Sequence, residues 1–151
     1  MTQVADWMGE ALAEARLAAA DGEVPVGAVV VDVRSGELVA RAHNRRERDA
    51  DPTAHAEVLA LREAALRSGG WRLTDHALVV TVEPCPMCAG AAWAARIGLI
   101  VFGAADPRAG ASGSLYNFAA DPRLNHESVV VAGVRAEECA ALLGEFFESR
   151  R

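Results

Sequence analysis

Lysine is absent from this sequence of 151 residues, so its cationic side chains other than histidine are all arginines. The 21 acidic side chains outnumber the 15 basic ones, and the formal net charge is −6. An acidic protein repels nucleic acid on average, although a local basic patch can still bind phosphate groups. The charge therefore lowers the expectation of an RNA or DNA partner without excluding one.

Cysteines and long apolar runs are also scarce. Three cysteines are too few, and odd in number, for a disulfide framework. No apolar run reaches the roughly 18–20 residues of a membrane span, and residues 1–10 lack the cationic start and apolar centre of a secretion signal. We therefore expect no membrane partner and a reducing, cytoplasmic location.

The rest of the composition is typical of an ordinary globular protein, with 52% hydrophobic and 24% charged residues. A chain of this length can bury roughly 70% of the surface that it exposes when unfolded. It contains no internal repeat and no low-complexity linker. We expect residues 1–151 to form a single domain.

Helical and strand-like patterns alternate along this domain. Apolar residues recur at helical spacing in 4–20, and further helices are predicted from Asp51-Pro52-Thr53 to Gly69, over 85–98 and over 135–150. β-Branched runs predict the strands: 24–33, 37–43, 76–82, 99–104 and 128–133. The order α-β-β-α-β-α-β-β-α favours a three-layer α/β domain with a mostly buried sheet.

Four residues form a pattern that is typical of catalytic zinc. Cys85 and Cys88 are three apart at the start of a predicted helix, and His55 lies at the start of the preceding helix. Helices that follow the carboxyl ends of strands can bring three N/S donors together, and three ligands leave a position for water. Glu57 is then available to move protons between that water and a leaving group.

Each of these residues has an ordinary reading when taken alone. A single CxxC can be a redox pair, half of a structural zinc site or a chance pairing. His55 can be a capping or core histidine, and Glu57 a first-turn acid that favours the helix dipole. Residues two apart on a regular helix also diverge, so His55 and Glu57 share a cavity only if they line it from the helix end. The combination of HAE at 55–57 with PCPMC at 84–88 nevertheless favours the zinc interpretation.

The combination H-x-E…P-C-x-x-C is the signature of zinc nucleobase deaminases. Over residues 4–148 the chain resembles one branch of them, the bacterial tRNA-specific adenosine deaminases. The similar segments are, in order, EVPVGAVVV (23–31), HNR (43–45), DPTAHAE (51–57), TVEPCPMCAGA (81–91), RIGLIVFGA (96–104), GASGSL (110–115) and LNH (124–126).

This resemblance implies a cytidine-deaminase-like α/β/α fold with a central mixed sheet of about five strands, one Zn²⁺ per subunit and a homodimer. It implies hydrolytic conversion of adenosine to inosine at the wobble position of an arginine tRNA anticodon, presented as a stem-loop. His55, Cys85 and Cys88 would hold the zinc and Glu57 would move protons. A DNA partner is not expected.

Further residues are candidates for substrate contact. Asn44 matches the asparagine that contacts the target nucleotide in the family, while Val26 and Gly27 are an expected apolar wall. Asp106 is expected on the rim of the site, near ribose or backbone. Arginine side chains next to a nucleic-acid site can bind phosphates, and a nearby aromatic side chain can stack on a base. The residues expected in these two roles are Arg45, Arg46 and Phe147.

Two rival functions remain open. A deaminase of a free nucleobase or nucleoside, of the cytosine or guanine type, would use the same chemistry and suits the acidic charge better. A non-catalytic zinc module would need a fourth protein ligand, and no further Cys or His has suitable local spacing. The arginine run at 41–48 and the series of similar segments favour RNA.

Overall fold

A computed structural model describes residues 2–150. Four helices and five strands follow one another in the predicted order. They are α1 (Thr2–Ala20), β1 (Gly27–Asp32), β2 (Leu38–His43), α2 (Ala56–Ser68), β3 (His76–Val82), α3 (Pro86–Ala94), β4 (Leu99–Ala104), β5 (Val129–Val131) and α4 (Ala136–Glu148). Strands β3 and β4 have the bounds that their β-branched runs predicted.

The five strands form one mixed sheet in the order β2-β1-β3-β4-β5. Strand β1 is antiparallel to both β2 and β3, whereas β3, β4 and β5 are mutually parallel. Consequently β2 and β3 run in the same direction and end at the same edge of the sheet. Because α2 follows β2 and α3 follows β3, both of these helices begin near that edge.

Helices cover both faces of the sheet. Val29 and Val31 of β1 pack in a cluster with Met8 and Leu12 of α1, and Cys139 of α4 belongs to the same cluster. The alternate residues of β1 pack in a second cluster that includes α2, with Ala60 and Ala64 among its members. This burial on both faces confirms the predicted three-layer α/β/α architecture and explains why β1 is almost continuously β-branched.

Several predicted boundaries differ from the structure: α3 ends at Ala94 instead of residue 98, and β5 covers Val129–Val131 instead of 128–133. Two further differences lie close to the meeting point of the helix starts. The side chain of Asp51 accepts hydrogen bonds from the backbone N–H and the hydroxyl of Thr53, both at 2.8 Å. This local turn competes with helix formation, so α2 begins only at Ala56. Strand β1 likewise begins at Gly27 rather than at residue 24, because Val26 donates a backbone hydrogen bond to Val24 in a tight turn.

Within residues 2–150, no helix combines the length and the hydropathy that crossing a membrane requires.

Candidate active site

His55, Cys85 and Cys88 meet at the edge of the sheet where α2 and α3 begin. The Nδ1 atom of His55 lies 3.7 Å from the Sγ atom of Cys85 and 3.4 Å from that of Cys88. The ligand atoms of all three residues lie within 4.8 Å of one another, and among residues 2–150 this is the one such group of His, Cys or carboxylate donors. One nitrogen and two sulfur donors suit Zn²⁺, with a fourth position left for water.

The local sequence of α3 places the two cysteines. Cys85 is the N-cap residue in an extended conformation, Pro86 occupies the first turn, and Cys88 lies one turn into the helix. Hydrogen bonds from Cys88 and then from His55 to the sulfur lower the pKa of Cys85 to about 4, despite partial burial. The lowered pKa favours the thiolate form of Cys85, the form in which cysteine binds metals.

Glu57 lies in the same pocket as His55 although only one residue separates them. His55 is the N-cap of α2, with φ −76° and ψ 149°, so it stands outside the regular helix, whereas Glu57 belongs to the first turn. The Glu57 side chain is 4% exposed. This burial is the main reason why its pKa is raised to about 7, a value suited to both taking and giving a proton near neutral pH.

His55, Glu57 and Cys85 line a cavity of about 150 Å³. Its wall combines apolar and polar side chains, as in many small-molecule sites. The apolar members are Val24, Val26, Ala56 and Val82, and the polar members are Asn44, Arg46, His55, Glu57, Glu83, Cys85 and Asp106. Of the substrate contacts expected from the sequence, the structure thus brings Val26, Asn44, Arg46 and Asp106 to the cavity.

Asn44 has two bonds to the backbone as well as its place in the cavity wall. Its amide donates to the carbonyl of Val24 at 3.2 Å and accepts from the N–H of Arg46 at 3.0 Å. These bonds fix the plane of the amide and use only one of its two hydrogens.

Gly27, expected with Val26 in the apolar wall, is not among the residues that line the cavity. A Cβ at Gly27 would collide with the backbone of Ala11 and Ala15 in α1. The glycine therefore allows α1 to pack directly against β1.

Arg45 and Phe147 also lie outside the cavity lining. The guanidinium of Arg45 holds the carboxylate of Asp49 at 3.1 Å, four residues along the chain. Phe147 is 51% exposed on α4 and contacts Phe146 edge to face at 5.5 Å between ring centroids. Any contact of these two side chains with a substrate must be made beyond the pocket itself.

Two buried carboxylates that sequence reasoning missed hold the loops on either side of the cavity. Glu23 is 2% exposed and accepts the backbone N–H groups of Glu47 at 3.1 Å and Arg48 at 2.7 Å. Glu83 is 3% exposed and accepts three backbone N–H groups of the loop 105–114. Burial acts to raise the pKa of Glu83, but hydrogen bonds from Ser114, Asp106 and Ser112 outweigh it and lower that pKa. Each glutamate lies close to a proline beside a strand: Glu23 in GEVPV, just before β1, and Glu83 in VEPC, just after β3. This proximity is the one sequence signal of their role.

Residues 1–104 match the family described as the cytidine and deoxycytidylate deaminase zinc-binding region. The chain belongs to this deaminase family. It is 50% identical over all 151 residues to the tRNA-specific adenosine deaminase of Bacillus subtilis (strain 168), of which it covers 92%. It is 42% identical over 145 residues to the tRNA-specific adenosine deaminase of Streptococcus pyogenes serotype M18 (strain MGAS8232), of which it covers 90%; these residues make up 96% of the present chain.

Two solved structures agree with the fold. One, from work on A-to-I editing by tRNA:A34 deaminases at the wobble position of transfer RNA, has a TM-score of 0.86 and 42% identity over 91% of this chain and 98% of its own. A guanine deaminase from Nitrosomonas europaea has a TM-score of 0.82 and 28% identity over 94% of this chain and 83% of its own. The predicted family, fold and zinc cofactor are confirmed.

Proposed function

We propose that this chain converts adenosine to inosine at the wobble position of a tRNA anticodon, and that an arginine tRNA is the substrate. The reaction consumes one water and releases one ammonia. The observation that carries the proposal is the buried Glu57 beside a three-donor metal cluster in a chain 50% identical to a tRNA-specific adenosine deaminase. A zinc module without catalysis would have no use for a buried carboxylate at this position.

His55, Cys85 and Cys88 would hold Zn²⁺, which would lower the pKa of a water so that hydroxide is available near neutral pH to attack C6 of adenine. Glu57 would take a proton from that water and deliver it to the departing amino group, as its raised pKa favours. Asn44 and Val26 would hold the nucleotide. Asn44 donates one amide hydrogen to Val24, and its second amide hydrogen would be available to bond the nucleotide. A base in this cavity must be turned out of its stack, which an anticodon loop permits.

The surface around the cavity supports an RNA substrate. Arg46 lines the cavity, and the guanidinium of Arg150 at the end of α4 lies near Gly22, in the loop that leads from α1 to β1 at the edge of the cavity. Phe147 is exposed on the same helix end. These side chains would contact phosphates and a loop base, whereas Arg45 would act by ordering the segment 44–49 through Asp49.

Three further features belong to the same proposal. Residues 1–151 would act as a single deaminase domain, and two chains would form a homodimer. The enzyme would work in the cytoplasm, where its tRNA substrate is present.

An assay with three substrates tests the function. An anticodon stem-loop of an arginine tRNA with adenosine at the wobble position should release ammonia and yield inosine, whereas the same stem-loop with guanosine there should not react. Free guanine is the third substrate, because the likeness to a guanine deaminase favours it as the second candidate. Ammonia from free guanine alone would contradict the RNA proposal and support that candidate.

A further inference from the structure

Glu83 joins the segment that bears the zinc ligands to the loop 105–114. It lies two residues before Cys85, and both of its carboxylate oxygens accept hydrogen bonds from the loop. Oε1 accepts the N–H of Asp106 at 3.0 Å, while Oε2 accepts the N–H groups of Ser112 and Ser114, each at 3.0 Å. The Ser114 hydroxyl donates to Oε1 as well. One buried side chain thus holds both ends of the loop.

The loop in turn places Asp106 in the cavity wall. The Oδ1 atom of Asp106 accepts the N–H groups of Arg108 at 2.9 Å and Ala109 at 3.2 Å, so the aspartate also closes the first turn of the loop. Its backbone N–H is the one that Glu83 holds. The hydrogen bond from the Asp106 N–H to Glu83, together with this turn, therefore helps to hold the Asp106 carboxyl group in place.

Gly110 shows how closely the loop approaches this carboxylate. A Cβ at Gly110 would overlap the carboxyl carbon and both oxygens of Glu83. Alanine at this position would displace the loop from Glu83, so the contact can be broken from either side.

We propose that Glu83 is a positioning residue for substrate binding, which holds the loop 105–114 so that Asp106 faces the nucleotide in the cavity. This role presupposes the deamination proposed above, since it assigns Asp106 to the substrate of that reaction. Glu83 also lines the cavity, but both of its carboxylate oxygens accept hydrogen bonds from the loop, so it acts on the substrate through the loop and Asp106. A glutamate that served only to stabilise the fold or to place Cys85 would not act through Asp106.

A double-mutant cycle distinguishes these roles. Glu83→Gln replaces an oxygen that accepts hydrogen bonds by an NH₂ group, so KM for the stem-loop should rise about tenfold, with kcat changed less than about threefold. Asp106→Asn should also raise KM, and in its background Glu83→Gln should add less than about twofold. Independent, multiplicative effects on KM, or an unchanged KM in Asp106→Asn, would overturn the proposal. Loss of zinc from Glu83→Gln would also overturn the proposal, because it would show that Glu83 serves to place the zinc ligand Cys85.

Two further variants keep the test informative if Glu83→Gln does not fold. Gly110→Ala should raise KM about tenfold, and Ser114→Ala, which removes one of the donors, about two- to threefold. The matched controls are Gly70→Ala, where an added Cβ meets no atom within 4 Å, and Glu14→Gln, a buried carboxylate bonded to His43 instead of the loop. Both controls should leave KM unchanged, and an unchanged KM in Gly110→Ala would contradict the proposal.

Hydrogen exchange tests the anchor without any substrate, on the zinc-loaded protein. In Glu83→Gln, the amide hydrogens of residues 106, 112 and 114 should exchange about ten- to a hundredfold faster than in the parent chain, whereas the exchange rates in α2 should not change. If this occurs and the stem-loop is not deaminated, the anchor stands and the proposed function fails. Unchanged exchange at these amides would overturn the anchor whatever the activity.

Discussion

The reaction group His55, Glu57, Cys85 and Cys88, here called the floor of the site, differs from the arginine segment Arg45, Arg46 and Arg48, here called its rim, in what holds the side chains. Of the three arginines, Arg46 alone lines the cavity. The floor residues stand at the starts of two packed helices, and Cys88 is fully buried. The rim residues are exposed or half-buried and pair with nearby acids, Arg45 with Asp49 and Arg48 with Asp21. Exposed ion pairs of this kind stabilise little and can be exchanged for phosphate contacts. The floor is therefore built for chemistry and the rim for binding, and variants should separate the two.

Loss of a floor ligand should have the largest effect. Cys88→Ala removes one of three zinc ligands, so the bound zinc should fall from about one ion per chain to near zero, and turnover should fall to background. Metal analysis of the purified protein measures this. Cys139→Ala is the matched control. Cys139 is a residue of α4 that is buried in the core, so this variant should keep its zinc. A full zinc complement in Cys88→Ala would remove Cys88 from the ligand set.

The substitution Glu57→Gln should have the second-largest effect. It keeps the shape of the side chain but cannot transfer protons, so kcat should fall roughly 10²- to 10⁴-fold while zinc and stem-loop affinity stay unchanged. Single-turnover kinetics with metal analysis separates these quantities. Glu63→Gln, on the same helix and paired with Arg67, should behave like the parent chain. Substantial turnover in Glu57→Gln would show that another group moves the protons.

A rim variant should weaken binding without changing the chemistry. Arg46→Ala should raise the Kd for the stem-loop about fivefold and reduce the slope of log K against log salt by about one. Arg45→Ala should have a smaller effect, about twofold, because its guanidinium is held by Asp49. Arg67→Ala, at the far end of α2, serves as the control. Equal affinity and equal salt slope in Arg46→Ala would leave this arginine as a solvated surface residue.

The smallest effect is expected at Phe147. Its ring is half exposed on α4 and offers a stacking surface, so Phe147→Ala should raise the Kd about two- to threefold with kcat unchanged. Leu66→Ala tests an exposed apolar residue elsewhere, since Leu66 is 84% exposed near the end of α2. If both substitutions changed the Kd alike, the Phe147 ring would have no specific part in RNA binding.

The floor could be predicted from the sequence, because a metal centre requires particular residue types at particular spacings. The segments HAE and PCPMC are sufficient to identify the three donors and Glu57. His55 and Glu57 are two residues apart and would diverge on a regular helix, but the extended backbone of His55 lets both side chains line the same cavity. That conformation follows from the turn at Asp51 and Thr53, which delays the start of α2, and a propensity argument for the helix does not include such side-chain competition.

The walls could be predicted only in part. Asn44 lines the cavity, and so does Asp106, which was expected on its rim. Gly27 instead lies against α1, because a glycine that permits close approach does not indicate which neighbour approaches. Glu23 and Glu83 had no place in the sequence interpretation. A buried carboxylate held by backbone N–H groups leaves no residue pattern at its partners, since every residue except proline carries that donor.

The loop 105–114 is held mainly through its main chain. Glu83 and the carbonyl of Pro84 bind the backbone N–H groups of Asp106, Ala111 and Ser112, which places few demands on the side chains of the loop. Gly110 is an exception, because a Cβ there would overlap the carboxyl group of Glu83. Side chains of the loop that make no such bond, Arg108 among them, can therefore change without releasing the loop from the segment that bears the zinc ligands.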